Sequence, residues 1–198
     1  VKKLDTATGE VLHTYQNTER TEEILYSDGI LYLLVNPHRN KSIYEYQKNI
    51  GKYYYDEEFW KGQSRYIKAF NAETGKQLWQ KETSVLPLTL TADESRIYFY
   101  DGERVQALTR GGGEKIWESA HLSRASRILS FFAPMLIIHD DVIIFAGGER
   151  AGQQRGEWYS GGKDRMTALS AETGKKLWSA HHPASGYRSP EDIFVIND

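Results

Sequence analysis

The amino-acid sequence predicts an all-β fold in which short antiparallel strands are arranged in tandem repeats. Two observations support this prediction. A glycine-centred turn motif recurs four times, and apolar runs of four to seven residues alternate with turn residues. The composition agrees, since the 198 residues include 13 Tyr, 7 Phe and 5 Trp, and such aromatic side chains suit sheets better than helix bundles.

The turn motif occurs without gaps at residues 3–13, 69–79, 107–117 and 168–178. Its consensus is Ala-Leu-x-Ala-x-Thr-Gly-Lys-x-Leu-Trp. The glycine supplies a positive φ at a tight turn between two strands. The Trp that ends the second strand is the large apolar ring that packing between neighbouring modules needs. Two copies depart from the pattern, because His13 replaces the Trp of the first and Gly111-Gly112-Gly113 replaces Glu-Thr-Gly in the third.

A second apolar hairpin precedes three of the turn motifs, at residues 24–35, 88–100 and 135–145. Each complete unit therefore holds four antiparallel strands, which we name A to D in chain order. A four-stranded antiparallel unit repeated in tandem is the blade of a β-propeller. The predicted fold is thus an all-β propeller with about three full blades and partial blades at both ends.

We expect residues 1–198 to form a single partial propeller domain. The predicted blade limits are 1–16, 23–82, 86–119, 131–180 and 190–198. Two blades carry insertions between strands B and C, at residues 37–64 and 148–164. Because three and a half blades cannot close a ring without exposed edges, we expect an excised part of a longer protein that holds the remainder of the propeller. The alternative is closure by pairing with another copy.

The motif resembles the tryptophan-docking repeat of the pyrroloquinoline-quinone (PQQ) propeller family. The resemblance lies in Thr8-Gly9, in Thr74-Gly75 followed by Trp79, and in Thr173-Gly174 followed by Trp178. That family includes quinoprotein alcohol dehydrogenases and an outer-membrane assembly lipoprotein. The residues expected to build the repeat are Gly9, Gly75, Trp79, Gly113, Trp117, Gly174 and Trp178, with the three tryptophans as packing residues.

The function expected from this resemblance is a non-catalytic binding or scaffold module for a protein or a surface polysaccharide, without a cofactor. The alternative is a part of a PQQ-dependent dehydrogenase whose active site lies largely outside this segment; resemblance to those enzymes would imply PQQ with calcium, a catalytic Asp and often a vicinal cysteine pair. The chain has no Cys. It also offers no Asp in a matching context, so no catalytic residue is predicted. The resemblance further implies a periplasmic or secreted location.

Candidate binding residues follow from how antiparallel blades sort their loops. The A–B and C–D turns emerge at one end of the blades, and the B–C and D–A loops emerge at the other. Both insertions are B–C loops, and long loops on a rigid scaffold commonly carry binding. The candidates at this end are His38, Arg39, Tyr54, Trp60, Arg124, Trp158, His181 and Arg188.

Several features of these loops have a simpler structural explanation. The aromatics of the first insertion form either a recognition surface or a small cluster that folds the insertion onto its blade. The glycine-rich second insertion lacks the strand-to-helix setting of a phosphate-binding loop, and we expect a loop anchored by Trp158. His181 and His182 point to opposite sides of a strand, so we predict no metal there.

Charge and hydropathy exclude other classes of function. Since 25 basic and 27 acidic residues give a net charge of −2, the chain lacks the basic excess that nucleic acid or an anionic membrane calls for. The most apolar run, residues 131–147, is interrupted by Pro134, His139, Asp140 and Asp141, and falls short of the roughly 20 apolar residues of a membrane-spanning helix. We therefore expect neither nucleic-acid binding nor membrane insertion.

Overall fold

A computed structural model describes residues 1–38, 54–56, 64–122, 127–129, 135–146, 165–181 and 195. The described strands form three four-stranded antiparallel sheets, an N-terminal hairpin and one further strand pair. This architecture confirms the predicted all-β class of four-stranded antiparallel blades. The second insertion and all but Val195 of residues 190–198 lie outside the described residues, and the assignment of the whole chain to one domain stays a prediction.

Each sheet is a meander in which successive strands pair. Sheet 1 consists of β3 (Thr21–Ser27), β4 (Ile30–Val35), β6 (Arg65–Asn71) and β7 (Gln77–Thr83). Sheet 2 consists of β8 (Thr91–Ala92), β9 (Arg96–Tyr100), β10 (Val105–Thr109) and β11 (Lys115–Glu118). Sheet 3 consists of β13 (Met135–His139), β14 (Val142–Ala146), β15 (Arg165–Ser170) and β16 (Lys176–His181).

Two smaller pairs complete the described structure. The N-terminal hairpin pairs β1 (Lys2–Leu4) with β2 (Val11–Thr14), the counterparts of strands C and D of a sheet. The bridging pair joins β5 (Tyr54–Asp56), from the first insertion, to β12 (Arg127–Leu129), from the connection between sheets 2 and 3.

The core lies between neighbouring sheets. The second strand of sheet 1 is buried on both faces, which explains why Leu31 to Val35 are all apolar. Its Leu31 and Leu33 pack with Tyr15 of the N-terminal hairpin. On the opposite face, Tyr32 packs in a cluster that includes Phe99 of sheet 2. A third cluster joins sheets 2 and 3. Each internal sheet is therefore held from both sides by alternating side chains.

Neighbouring sheets are also joined by a ring that lies on a glycine turn. A Cβ atom added to Gly113 would lie 2.8 Å from Cε3 of Trp79, and the Trp79 indole Nε1 donates to the Arg110 carbonyl at 2.6 Å. Trp117 covers Gly174 in the same way and donates to the Ala171 carbonyl at 3.0 Å. The ring thus packs directly on the turn, which explains why the turn position carries no side chain.

The contact between the N-terminal hairpin and sheet 1 also places a ring on a glycine turn, but with different residues. The ring of His13 lies on Gly75, where an added Cβ would be 1.8 Å from its Nε2. The hydrogen bond that Trp makes elsewhere is supplied here by Tyr15, whose hydroxyl donates to the Ala72 carbonyl at 2.9 Å. Ala72 occupies the position of Arg110 and Ala171 in the repeat. The replacement of Trp by His13 therefore divides one side chain's two contacts between two residues.

The side chain of Arg110 also links sheets 1 and 2 by hydrogen bonds at the glycine-turn end. Its buried guanidinium donates to the Asp28 carboxylate at 2.9 Å, the Asp93 carbonyl at 2.8 Å, the Ser27 carbonyl at 2.7 Å and the Tyr32 hydroxyl at 3.2 Å. One side chain thereby satisfies groups from the A–B turns of both sheets, as a buried charge requires.

Candidate binding face

The B–C turns and the D–A connections lie together at the end of the sheets opposite the glycine turns. In sheet 2 this is shown by two hydrogen bonds. The backbone N–H of Leu122 donates to the Glu103 carbonyl at 2.8 Å, and Arg104 donates to the Ser119 carbonyl at 3.0 Å. We call this end the loop face. In the described structure it comprises turn 101–104, connection 119–122 and the two roots of the first insertion, residues 36–38 and 64–65.

The first insertion leaves sheet 1 and pairs with a segment that leads into sheet 3. In the bridging pair, Asp56 lies opposite Arg127, Tyr55 opposite Ile128, and Tyr54 opposite Leu129. Backbone hydrogen bonds therefore join a B–C loop to a D–A connection on this face.

The insertion is rooted in a buried polar network. Arg65 is 1% exposed, and its Nε lies 2.5 Å from the carboxylate of Glu22. The other carboxylate oxygen of Glu22 accepts from the Asn36 amide at 2.8 Å, and the Asn36 side-chain oxygen accepts from the backbone N–H of His38 at 2.9 Å. The network connects both ends of the insertion to strand β3, and removing one charge would leave the other uncompensated.

A more exposed group of hydrogen bonds surrounds this root. The His38 ring Nε2 lies 3.1 Å from the Ser64 carbonyl, which closes the base of the insertion. The Ser64 hydroxyl donates to the Glu82 carboxylate, and the Tyr66 hydroxyl donates to the same carboxylate at 3.2 Å. That hydrogen bond and the negative charge of Glu82 raise the pKa of Tyr66.

A second carboxylate, Glu23, fixes the connection between sheets 1 and 2. Its two oxygens accept from the backbone N–H groups of Leu88, at 2.7 Å, and of Leu90, at 2.9 Å. Leu88 has a φ of 69°, a strained value for a residue with a side chain, and the carboxylate holds it there. Burial raises the pKa of Glu23 to about 7, while these hydrogen bonds lower it.

Three of the candidate binding residues lie in the described part of the chain. His38 is exposed at the root of the insertion. Tyr54 begins β5 and lies opposite Leu129. His181 ends β16, opposite Arg165, at the loop-face end of sheet 3. The candidates outside the described residues are Arg39, Trp60, Arg124, Trp158 and Arg188.

The three tryptophans expected to pack between sheets differ in how far their side chains are exposed. Trp79 is 8% exposed and Trp117 is partly buried, each on the glycine turn of the next sheet. Trp178 is 45% exposed, so the packing expected of it is not present among the described residues.

The sequence patterns did not point to Glu22, Glu23, Asn36 or Arg65. Position could have pointed to Asn36 and Arg65, because they flank the long first insertion and polar groups buried there need partners. No such signal marks Glu22 and Glu23, which lie within β3. In the part of the chain that the structure describes, no group of His, Asp and Glu side chains is arranged to hold a metal ion. None of its elements is a helix long and apolar enough to cross a membrane.

Comparison with known proteins identifies the repeat. A family model described as outer membrane protein assembly factor BamB matches residues 101–192. A search of curated proteins finds no match. Among solved structures, the computationally designed protein Ika8 aligns with 90% of this chain and 42% of its own, at 12% identity and a TM-score of 0.55. This likeness supports the fold alone.

Two natural proteins are also similar, at TM-scores below 0.5. BamB from Moraxella catarrhalis aligns with 60% of this chain and 33% of its own at 16% identity, with a TM-score of 0.41. A europium-containing methanol dehydrogenase aligns with 80% of this chain and 24% of its own at 12% identity, with a TM-score of 0.48. The chain thus spans less than half the length of each of these structures. The recurring turns, the ring-on-glycine joints and the family match over residues 101–192 together show that the repeats of this chain are similar to those of the PQQ-like propeller family.

Proposed function

We propose that this chain is a binding segment of a propeller scaffold and that its loop face holds a protein partner. The bridging pair is the observation that supports the proposal most. A loop that only closed the B–C turn of sheet 1 would need four residues, as turn 101–104 does in sheet 2. The first insertion instead extends across to the connection that precedes sheet 3.

The first insertion is held in place at its base and in its middle, and this suits the recognition of a partner. Binding costs less free energy when the recognising loop is already held in place, because fewer side chains and backbone torsions have to be ordered. Here the Arg65–Glu22 pair fixes the base of the insertion and β12 fixes its middle. Tyrosines along this loop, including Tyr54, belong to the residue types that carry much of the energy at protein interfaces.

The nature of the partner follows from the family match. The matching family model is named for an assembly factor of outer membrane proteins, which favours a protein partner over a surface polysaccharide. It also favours a periplasmic or secreted location. The loop face would then act by contact and would need no cofactor.

A shortened variant tests this function. The pairing of Tyr100 with Val105 in sheet 2 matches the pairing of Val35 with Tyr66 in sheet 1, so Asn36 and Arg65 correspond to the ends of turn 101–104. Replacing residues 37–64 by Gly-Glu, the central pair of that turn, should remove the loop and retain the buried contacts of Glu22 with Asn36 and Arg65. Circular dichroism and urea unfolding would establish that the variant folds.

Photo-crosslinking then locates the contact. A photoreactive amino acid at exposed His38 should crosslink a partner protein in the native extract, and one at exposed Lys76, on the glycine-turn end, should not. The crosslink should be lost when the shortened variant carries the probe in place of the Glu of its Gly-Glu pair. Equal crosslinking from both ends, or undiminished crosslinking without the insertion, would contradict the proposal.

A further inference from the structure

The connection between sheets 1 and 2 exposes one leucine in a strained conformation. Leu88 is 61% exposed and has a φ of 69°, a left-handed value that is unfavourable for a bulky side chain. The residues around it are packed, since Leu86, Thr89 and Leu90 are at most 7% exposed and the Thr89 hydroxyl donates to the Leu86 carbonyl at 2.7 Å. Both sheets that the connection joins belong to this chain, so Leu88 does not lie at an outer edge of the described sheets.

The turn itself does not require a leucine. A turn of the same local form lies in the connection from the N-terminal hairpin to sheet 1, where the hydroxyl of buried Thr18 donates to the Tyr15 carbonyl at 2.8 Å. The residue before this threonine is Asn17, with a φ of 56°. Asn adopts the left-handed region more readily than other residues with a side chain, because its short polar side chain can bond locally. Leucine at position 88 therefore costs stability that the turn does not demand.

The strained leucine is held on the loop face, beside the base of the first insertion. Glu23, whose carboxylate accepts from the Leu88 N–H, follows Glu22 in β3, and Glu22 fixes the base of the insertion. On the side of sheet 2, the same connection is bonded at 2.9 Å to the carbonyl of Tyr100, which directly precedes the loop-face turn of that sheet. The side chain of Leu88 is thus presented to solvent from a backbone that is fixed on both sides.

We propose that Leu88 is the apolar anchor through which the loop face binds its protein partner, and that the partner offers an apolar pocket to this one side chain. Within the chain the exposed leucine gains no burial that offsets its strain, whereas burial in a partner would remove its apolar surface from water. Its fixed backbone need not be ordered on binding. A protein is the occupant because the leucine is continuous with the polar groups at the base of the insertion, and an apolar anchor within a polar rim is typical of protein interfaces. The inference rests on the proposed function of the loop face.

A stability measurement without any partner tests the strain. Leu88→Asn installs the residue that the matching turn uses, so it should raise the urea midpoint and lower the unfolding equilibrium constant about fivefold. Asn17→Leu should shift the midpoint in the opposite direction. A lower midpoint for Leu88→Asn would overturn the proposal, because the leucine would then serve the fold.

Crosslinking in the native extract tests the anchor. The photoreactive probe at His38 reports the contact, and Leu88→Asn should reduce its crosslinking yield at limiting extract at least about 10-fold, as the loss of one buried leucine does. The matched control is Leu78→Asn. Leu78 is also an exposed leucine, at 43%, but it lies on β7 next to a glycine turn, so the yield should not change.

The outcomes separate this inference from the proposed function. If the His38 probe crosslinks a partner equally well with Leu88 and with Asn at position 88, the anchor is wrong and the binding role of the loop face stands. An equal loss of yield in Leu78→Asn would also overturn the anchor. If the wild-type chain gives no crosslink from His38, the proposed function fails and the anchor fails with it. A product of twice 22.8 kDa would show a second copy in place of a partner protein, which contradicts the proposal.

Discussion

Substituting Gly113 by Ala should cost far more stability than the same substitution at a glycine of equal backbone geometry. Gly113 has a φ of 75°, and forcing Ala into that region costs about 1–2 kcal/mol. The added Cβ would also lie 2.8 Å from Trp79, which must shift out of a close-packed joint. Overpacking of this kind costs about 1–3 kcal/mol more. The expected total is about 2–5 kcal/mol.

Gly29 is the matched control. It has a φ of 77°, and no described atom lies within 4 Å of where its Cβ would be. Gly29→Ala should therefore show the backbone cost alone, about 1–2 kcal/mol. The free energies of unfolding would be measured by urea titration, with circular dichroism and tryptophan fluorescence as independent probes.

A double-mutant cycle isolates the contact. In a Trp79→Ala background the ring is absent, so the extra cost of Gly113→Ala should fall to that of Gly29→Ala. Equal costs for Gly113→Ala and Gly29→Ala in the wild-type background would refute the claim that the ring requires a glycine. A cost at Gly113 that is unchanged by Trp79→Ala would refute it as well.

Three further predictions concern single side chains. Tyr15→Phe should cost about 1–2 kcal/mol in urea unfolding, because it removes a partly buried hydrogen bond between sheets, while Tyr26→Phe at an exposed site should cost almost nothing. Burial raises the pKa of Glu23 from 4.5 to about 7, so the folded state holds this proton more tightly than the unfolded state. The free energy of unfolding should therefore fall by up to about 3 kcal/mol as pH rises from 4.5 to 7. Glu23→Ala should reduce this pH dependence, and an unchanged pH dependence would contradict the raised pKa of Glu23. Arg65→Ala should cost about 3–5 kcal/mol, since it leaves the Glu22 carboxylate without its charge partner, and a cost below about 1 kcal/mol would show that the pair is not buried in solution.

Much of the fold could be predicted because the determining signals are local. A Thr-Gly turn followed by a Leu-Trp strand end, as at Gly75 to Trp79, shows a hairpin within a few residues. Its repetition predicts sheets that pack face to face. The sequence also showed that His13 replaces the Trp of the repeat. It did not show that Tyr15 makes the hydrogen bond that this Trp makes in the other copies.

The side-chain hydrogen bonds at the base of the first insertion and in the connection between sheets 1 and 2 could not be predicted, because their partners are distant in sequence. Arg65 lies 43 positions from Glu22, and Glu23 lies 65 positions from the N–H of Leu88 that it binds. Hydrogen bonds of this kind depend on which strands become neighbours, and no local pattern encodes them. Arg110 is similar, since it replaces the Ala of the repeat and only the structure shows that its guanidinium ties two turns together.

The most direct test of the central claim, that this chain functions as a binding scaffold and not as part of a quinone-dependent dehydrogenase, is a titration of the chain with PQQ in the presence of calcium. Heat and quinone absorbance would be followed together, and near-ultraviolet circular dichroism of the docked tryptophans would show that the chain is folded. We predict no saturable heat and no change in the quinone spectrum. Saturable, calcium-dependent binding would contradict the account and would favour a part of a PQQ-dependent dehydrogenase.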